Sequence, residues 1–224
     1  IIKKKISIVS SKVQTTKDQI SGILTRGDTQ IIFTDTPGII ENKRFFNKHY
    51  SRMVVNKEFE IDLNCLVIDL KRDINKKEIS IFRELLKRFN RNILVLNKID
   101  LVKKERLLEI SNLLNSKFNF IETFMISAKK KKGIEFLIKK LINNIPNREW
   151  IFNEGIHTDK NINYQISEIT REKVFKLLNK EIPYSVNIVT EIENNKQIAT
   201  VKQQILVKKK SQKSIIIGKN GEKI

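Results

Sequence analysis

The stretch LVLNKID, Leu94 to Asp100, decides how this chain is read. Extended backwards to RNILVLN (Arg91–Asn97), it is a short, continuous apolar run of the kind that forms a strand buried on both faces. It ends in an amide, an ammonium and, one residue further on, a carboxylate. The carboxyl end of such a strand is where α/β proteins build ligand sites.

Working outward, the same alternation repeats. QISGILT (19–25) and QIIFTD (30–35) read as strands around a turn at Gly27-Asp28. Lys43–Val55 reads as a helix and NCLVIDL (64–70) as a strand. Lys76–Phe89 carries helical spacing at Ile79, Phe82, Leu85, Leu86 and Phe89. Lys103–Leu114 reads as a helix, ETFMIS (122–127) as a strand, and Ile134–Ile145 as a helix ending before Pro146. Strand–helix alternation predicts an α/β sheet with helices on both faces. The pattern breaks at PNREWIFNEGIHTDKN (146–161), which is polar and turn-rich and reads as a linker with Trp150 as a docking residue. Beyond it the order changes to helix, strand, strand. The helix is Tyr164–Asn179, with apolar positions Ile166, Ile169, Val174, Leu177 and Leu178. The strands are YSVNIVTEIE (184–193) and IATVKQQILVKKK (198–210), followed by SIIIGKNGEKI (214–224). A second, smaller domain is expected there.

With 224 residues, the chain has room for one medium and one small domain. A net charge of +19 favours an anionic partner, nucleic acid before a membrane surface. The lysine runs Lys129–Lys132 and VKKKSQKS (207–214) are also what a solvated surface looks like. The single cysteine, Cys65, excludes an intramolecular disulfide and a cysteine zinc site, and reads as a buried strand thiol. His49 and His157 have no ligand spacing around them. No apolar stretch approaches the ~18 residues of a spanning helix.

Four segments carry chemistry. The Asp100 carboxylate can accept two hydrogen bonds, from the ring N–H and exocyclic amine of guanine. Adenine offers neither donor on that edge and would leave the carboxylate desolvated and unpaired. Asn97 can brace neighbouring loops, and the Lys98 stem can lie across a base face. In MISAKK, Ser127 and Ala128 end the next strand, and the Ala128 N–H is a candidate donor to the guanine oxygen. In IIFTDTPGII (31–40), the strand exit presents the acid Asp35, the hydroxyl of Thr36, then Pro37 and the backbone of Gly38, suited to a metal ion and a phosphate. In SKVQTTKDQ (11–19), Thr15 or Thr16 is a candidate magnesium ligand and γ-phosphate donor.

These four in this order resemble the guanine-nucleotide switch proteins, and more closely the Era family of ribosome-assembly GTPases. QTTK looks like the family's first switch, DTPG its second, NKID and SAK (Ser127, Ala128, Lys129) its guanine readers. EITREKVFKLLNKEIPYSV (168–186) is similar to the family segment that opens its RNA-binding domain, and IIIGKNGEKI looks like the G-x-x-G loop of a KH domain. The resemblance implies a Ras-like P-loop GTPase domain over 1–146, a linker over 147–161 and a type II KH domain over 162–224. It implies GTP and GDP as ligands. Magnesium would be held by Thr16 (Thr15 being the second choice) and, through a water, by Asp35, with the Gly38 N–H on the γ-phosphate. Gly218, Lys219, Asn220 and Gly221 would clamp RNA backbone, helped by Lys208, Lys209 and Lys213. It further implies GTP hydrolysis, binding to small-subunit ribosomal RNA and the 30S subunit, a cytoplasmic monomer, and peripheral contact with the inner membrane. Ile39 stands near where Ras-type enzymes place a water-orienting glutamine, so no catalytic residue is assigned.

The phosphate loop G-x-x-x-x-G-K-[ST] is not in the sequence, whose first glycine is Gly22. The chain begins with Ile1, not Met. The resemblance places the loop and the first strand upstream of Ile1, and a further helix and strand of the KH domain after Ile224. An excerpt of a longer protein and a decayed gene product would read alike. The competing function is a basic RNA-binding fragment that is inactive toward nucleotides.

Overall fold

The computed structural model describes residues 1–2, 4–10, 19–35, 61–178, 182–194 and 199–223. In chain order these form β1 (Ile20–Arg26), β2 (Thr29–Asp35), β3 (Asn64–Asp69), α1 (Lys76–Leu86), β4 (Asn92–Asn97), α2 (Lys104–Lys117), β5 (Thr123–Ile126) and α3 (Ile134–Asn144). They continue with α4 (Ile162–Leu177), α5 (Ile182–Ser185), β6 (Asn187–Asn194), β7 (Ala199–Leu206) and α6 (Lys210–Ile217). The expected helix Lys43–Val55 lies outside the described residues. Two compact units result: Ile1 with Ile39–Glu149, and Ile2–Gly38 with Trp150–Ile224.

The first unit is a parallel sheet in the order β3–β4–β5. Leu66, Ile68, Leu94 and Leu96 point to one face and pack with Phe82 and Leu86 of α1 and Ile110 and Leu114 of α2. On the opposite face Ile93, Val95, Phe124 and Ile126 are buried, and Phe136 of α3 sits against Phe124. The sheet is therefore covered by helices on both sides, as the alternation predicts. Among the described residues β3 pairs with β4 alone, and its residues Cys65 and Val67 are exposed. Cys65 is thus exposed where the sequence leads one to expect a buried thiol.

α1 starts where expected because Asn75 and Glu78 form a reciprocal capping box. It stops at Leu86, before the expected Phe89. The side-chain amide of Asn92, at the head of β4, donates to the carbonyls of Leu86 (3.1 Å) and Phe89 (2.9 Å). Its oxygen accepts from Asn64 Nδ2 at 2.7 Å, tying β3 to the same point.

In the second unit β1 and β2 form an antiparallel hairpin, with Gly27 at φ +56° in its turn. The hairpin is a sheet of its own among the described residues. The segment expected to be a linker contains no helix or strand and is fastened along the hairpin. Trp150 Nε1 donates to the Asp28 carbonyl (2.9 Å), which fits its reading as a docking residue. Gln30 accepts from the N–H groups of Ile151 and Phe152 and donates to the Phe152 carbonyl. Further along, Ile23 N–H donates to the His157 carbonyl (2.9 Å) and Ser21 N–H to Asp159 Oδ1 (2.8 Å).

β6 and β7 are antiparallel, and Val174, Leu178, Val186, Ile188 and Ile216 form the core beneath them. α4 follows the expected pattern at Val174 and Leu178 and departs from it elsewhere. Ile169 and Leu177 are exposed, while Glu168, Arg171 and Glu172 are buried. Burial is offset by pairing of the charges, although Arg171 Nη1 is buried with no hydrogen-bond partner among the described residues. Arg171 makes two bonds to Glu168 (2.6 and 2.8 Å) and lies over the Phe175 ring. Glu172 takes the ammoniums of Lys5 and Lys176 and the Val9 N–H (3.0 Å). The strand expected over 198–210 ends at Leu206. Lys210–Ile217, not recognised as a helix from sequence, comes next because Gln212 Oε1 accepts from the N–H groups of Lys208 and Lys209 and closes the first turn.

Two outcomes test these packing arguments. Asn92→Ala leaves two helix-end carbonyls and an amide unpaired, and is expected to cost about 2–3 kcal/mol in denaturant unfolding. Burial raises the Glu172 carboxyl, but the bonds from Lys176, Lys5 and the Val9 N–H outweigh it and bring it to about 2, from an ordinary 4.5. Its stabilisation is thus complete above pH 4.5 and is lost as pH falls toward 2. Glu172→Gln should lower the melting temperature at pH 7 and converge with the parent near pH 2.

Candidate nucleotide-binding site

The sheet register builds this site. Asp69 lies opposite Asn97, and Asn97 opposite Ile126, so the three strands end level. The loops that leave them are therefore presented along one edge.

Asn97 is the tie between two of these exits. Its Oδ1 accepts from the N–H of Lys98 at 2.8 Å and of Ala128 at 3.0 Å. The bracing role read from sequence is what the geometry provides. The Ala128 N–H, expected as a donor to a guanine oxygen, is given to Asn97 here. After Asn97 the backbone turns sharply. Lys98 has φ 70° and ψ 35°, and the short 3₁₀ turn Ile99–Leu101 begins with Leu101 N–H donating to the Lys98 carbonyl (2.9 Å). Asp100 is exposed on this turn.

The Asp100 carboxyl is held below its ordinary value, chiefly by the Ser127 hydroxyl. Some desolvation opposes this, and the charges of Lys130 and Lys129 add to it. Asp100 is thus an ionised, acceptor-only group at neutral pH. Ser127 is fully buried, and its Oγ also accepts the Lys130 N–H at 3.1 Å. Ser127 and Lys132 exchange both backbone bonds, so residues 127–132 close on themselves and leave Ala128 and Lys129 exposed. Gly133 completes the turn at φ +77°, where a Cβ would lie 2.6 Å from the Met125 carbonyl oxygen; only glycine fits.

Asn97, Lys98, Asp100, Ser127, Ala128 and Lys129 are therefore brought together. Thr15, Thr16, Thr36, Pro37 and Gly38, like Ile39, lie outside the described residues. Asp35 ends β2, paired with Ile20. Sequence reading missed Asp69, whose Oδ2 accepts the Lys98 ammonium at 2.6 Å. Its signal was available: NCLVID (64–69) ends in an acid, as the neighbouring run NILVLN ends in the polar Asn97.

The candidate RNA residues are gathered around α6. Lys208, Lys209, Lys213 and Lys219 are exposed there, together with Lys210 and Lys223. Gly218 has φ +75°, and a Cβ on it would come within 2.9 Å of the Lys223 side chain. Asn220 (φ 55°) and Gly221 (φ +82°) complete the turn, with open space only where a Cβ on Gly221 would sit.

Comparison with known proteins covers both halves. A family model described as 50S ribosome-binding GTPase matches residues 1–98. The GTPase Era of Bradyrhizobium sp. (strain ORS 278) is 34% identical over 226 residues, which take in 100% of this chain and 74% of that protein. The chain belongs to the Era family of GTPases. Era from Agrobacterium fabrum (strain C58) is 37% identical, with coverage of 100% of this chain and 71% of its own. Among solved structures, a crystal structure of Era in complex with MgGDPNP and nucleotides 1506–1542 of 16S ribosomal RNA superposes with a TM-score of 0.86 at 30% identity, covering 98% of this chain and 76% of that one. A point variant of Aquifex aeolicus Era bound to GDP.AlF4⁻ gives a TM-score of 0.85 at 30% identity with the same coverage. The Ras-like GTPase and KH architecture expected from the sequence is thus the architecture of the Era family.

Exchanging the acceptor at Asp100 should exchange the base. Asp100→Asn presents a donor where guanine offers donors, and is expected to weaken GDP binding by about two powers of ten while favouring xanthosine diphosphate, whose ring carbonyl accepts there. Competition between the two nucleotides against a labelled probe measures the ratio.

Proposed function

We propose that the chain is a guanine-nucleotide-binding, GTP-hydrolysing ribosome-assembly factor that binds small-subunit ribosomal RNA. The observation that carries the nucleotide half is Asn97 Oδ1, which joins the turn bearing exposed Asp100 to the loop after Ser127 by accepting from the Lys98 and Ala128 N–H groups. That set fits guanine and leaves a carboxylate unpaired against adenine. Asn97, Lys98, Asp100, Ser127 and Lys129 form the base side of the site, with Ala128 held in place by Asn97. Thr15, Thr16, Asp35, Thr36, Pro37 and Gly38 form the phosphate and magnesium side. Asp35 and Thr16 would hold magnesium, which neutralises phosphate charge during hydrolysis.

The RNA half is supported by exposed lysines flanking a G-x-x-G turn over Gly218–Gly221. The family model's description names the 50S particle but ends at residue 98. The relative solved with 16S ribosomal RNA is matched over 98% of this chain, so the small subunit is the better-supported partner. The domain division that goes with this reading is 1–146 for the GTPase domain, 147–161 for the linker and 162–224 for the KH domain. The reading includes a monomer in the cytoplasm, with its excess charge available for peripheral contact with an anionic inner-membrane surface. No described helix is long and apolar enough to cross a membrane. A nucleotide-inactive RNA-binding fragment is the less supported alternative, since both solved relatives hold GDPNP or GDP.

Labelled GDP titrated with magnesium into the chain is expected to bind and to be displaced by GDP at least about a hundredfold better than by ADP. Equal displacement would refute guanine recognition. For the RNA half, log affinity for a single-stranded small-subunit RNA 3′ end should fall linearly with log salt. Replacing Lys208, Lys209 and Lys213 together by alanine should reduce that slope by about 2, at roughly 0.7 per lost phosphate contact.

A further inference from the structure

The geometry points to Asp69 as the positioning residue for Lys98, and through it for the guanine base; the inference rests on the guanine-nucleotide reading above. Asp69 ends β3 directly across the register from Asn97. Its two oxygens do different work. Oδ1 accepts the Lys71 N–H at 3.0 Å and closes the turn after β3. Oδ2 accepts the Lys98 ammonium at 2.6 Å. Behind them, Leu70 N–H donates to the Asn97 carbonyl at 3.1 Å and joins the two strand exits through the backbone.

Lys98 needs such a hold. Its left-handed backbone is sterically unfavourable for a residue with a Cβ and persists only where the surroundings over-determine it. Its N–H is taken by Asn97 Oδ1, and its carbonyl by Leu101. The ammonium is the remaining free end of a flexible side chain that is 44% exposed. The Asp69 bond fixes that end. The four methylenes are then held as a rail beside the Asp100 turn, instead of sampling solvent. Partial burial raises the Asp69 carboxyl, but the Lys98 bond, the Lys71 N–H and the charges of Lys98 and Arg72 outweigh it. The carboxylate is therefore ionised across the neutral range, and the acceptor for the Lys98 ammonium is present throughout it.

Asp69 belongs to none of the nucleotide motifs in this sequence and reaches the base only through Lys98. A rail that aligns the base against Asp100 predicts a specific loss when it is released. Inosine diphosphate lacks the exocyclic amine that Asp100 accepts, so misalignment should cost GDP more than it costs inosine diphosphate. Generic loosening would cost both alike.

The test is a double-mutant cycle on the full chain with magnesium, using Asp69→Asn, Lys98→Ala and the pair, with both nucleotides. Asp69→Asn keeps the acceptor for the Lys71 N–H and so keeps the turn; unchanged melting temperature checks this. It is expected to weaken GDP roughly five- to tenfold, to shrink the preference for GDP over inosine diphosphate, and to have no further effect beside Lys98→Ala. Equal loss for both nucleotides, an undiminished loss in the Lys98→Ala background, or no loss at all overturns the inference while the nucleotide reading stands. A parent chain with no preference for GDP overturns that reading and this inference with it.

Discussion

The parallel register of β3, β4 and β5 is the constraint on which the first unit depends. Side chains alternate along a strand with period 2, so slipping β4 by one residue would turn Leu94 and Leu96 away from α1 and α2 and bring Ile93 and Val95 in their place. The core therefore specifies the register. The register in turn makes Asp69, Asn97 and Ser127 leave the sheet at one level, within reach of each other's loops. Site geometry is in this sense a by-product of hydrophobic packing some distance away, and the polar groups refine an alignment already set.

Backbone strain is collected where chemistry is expected. The described residues other than glycine with positive φ are Lys98, Lys131 and Asn220. They fall in the NKID exit, in the loop after Ser127 and in the G-x-x-G turn. Each costs of order 1 kcal/mol or more, and each is held by local bonds: Asn97 on Lys98, the Ser127–Lys132 pair around Lys131, and the Glu222 N–H to the Lys219 carbonyl around Asn220. Both kinds of ligand loop thus rely on tight turns closed by their own backbone.

Much of this was legible in the sequence, and the reasons differ from element to element. RNILVLN reads correctly because an apolar run that short and that continuous has few alternatives. α1 starts where Asn75 and Glu78 announce it, yet its end was set by Asn92, a residue in the next strand that local pattern cannot reveal. α4 misleads because Glu168, Arg171 and Glu172 pair with one another and with Lys5 and Lys176, and burial of charge leaves no periodic trace. α6 was missed because its first half is made of lysines, serines and a glutamine and its closing group, Gln212, carries no strong helix-start signal. Asp69 was visible as an acid at a strand end; what hid it was that its partner, Lys98, arrives from a different strand.

The attachment of 150–159 to the β1–β2 hairpin has a consequence for synthesis. Gln30 and its partner Phe152 are 122 residues apart, so at about 5–20 residues per second the hairpin leaves the ribosome some ten seconds before the segment that secures it. A two-stranded hairpin is marginal alone in water, and the N–H groups of Ser21 and Ile23 gain their acceptors only when His157 and Asp159 emerge. The second unit is therefore assembled from segments on either side of the first in sequence, at a time when the first can already be complete. The hairpin strands are thus made well before the segment that fastens them.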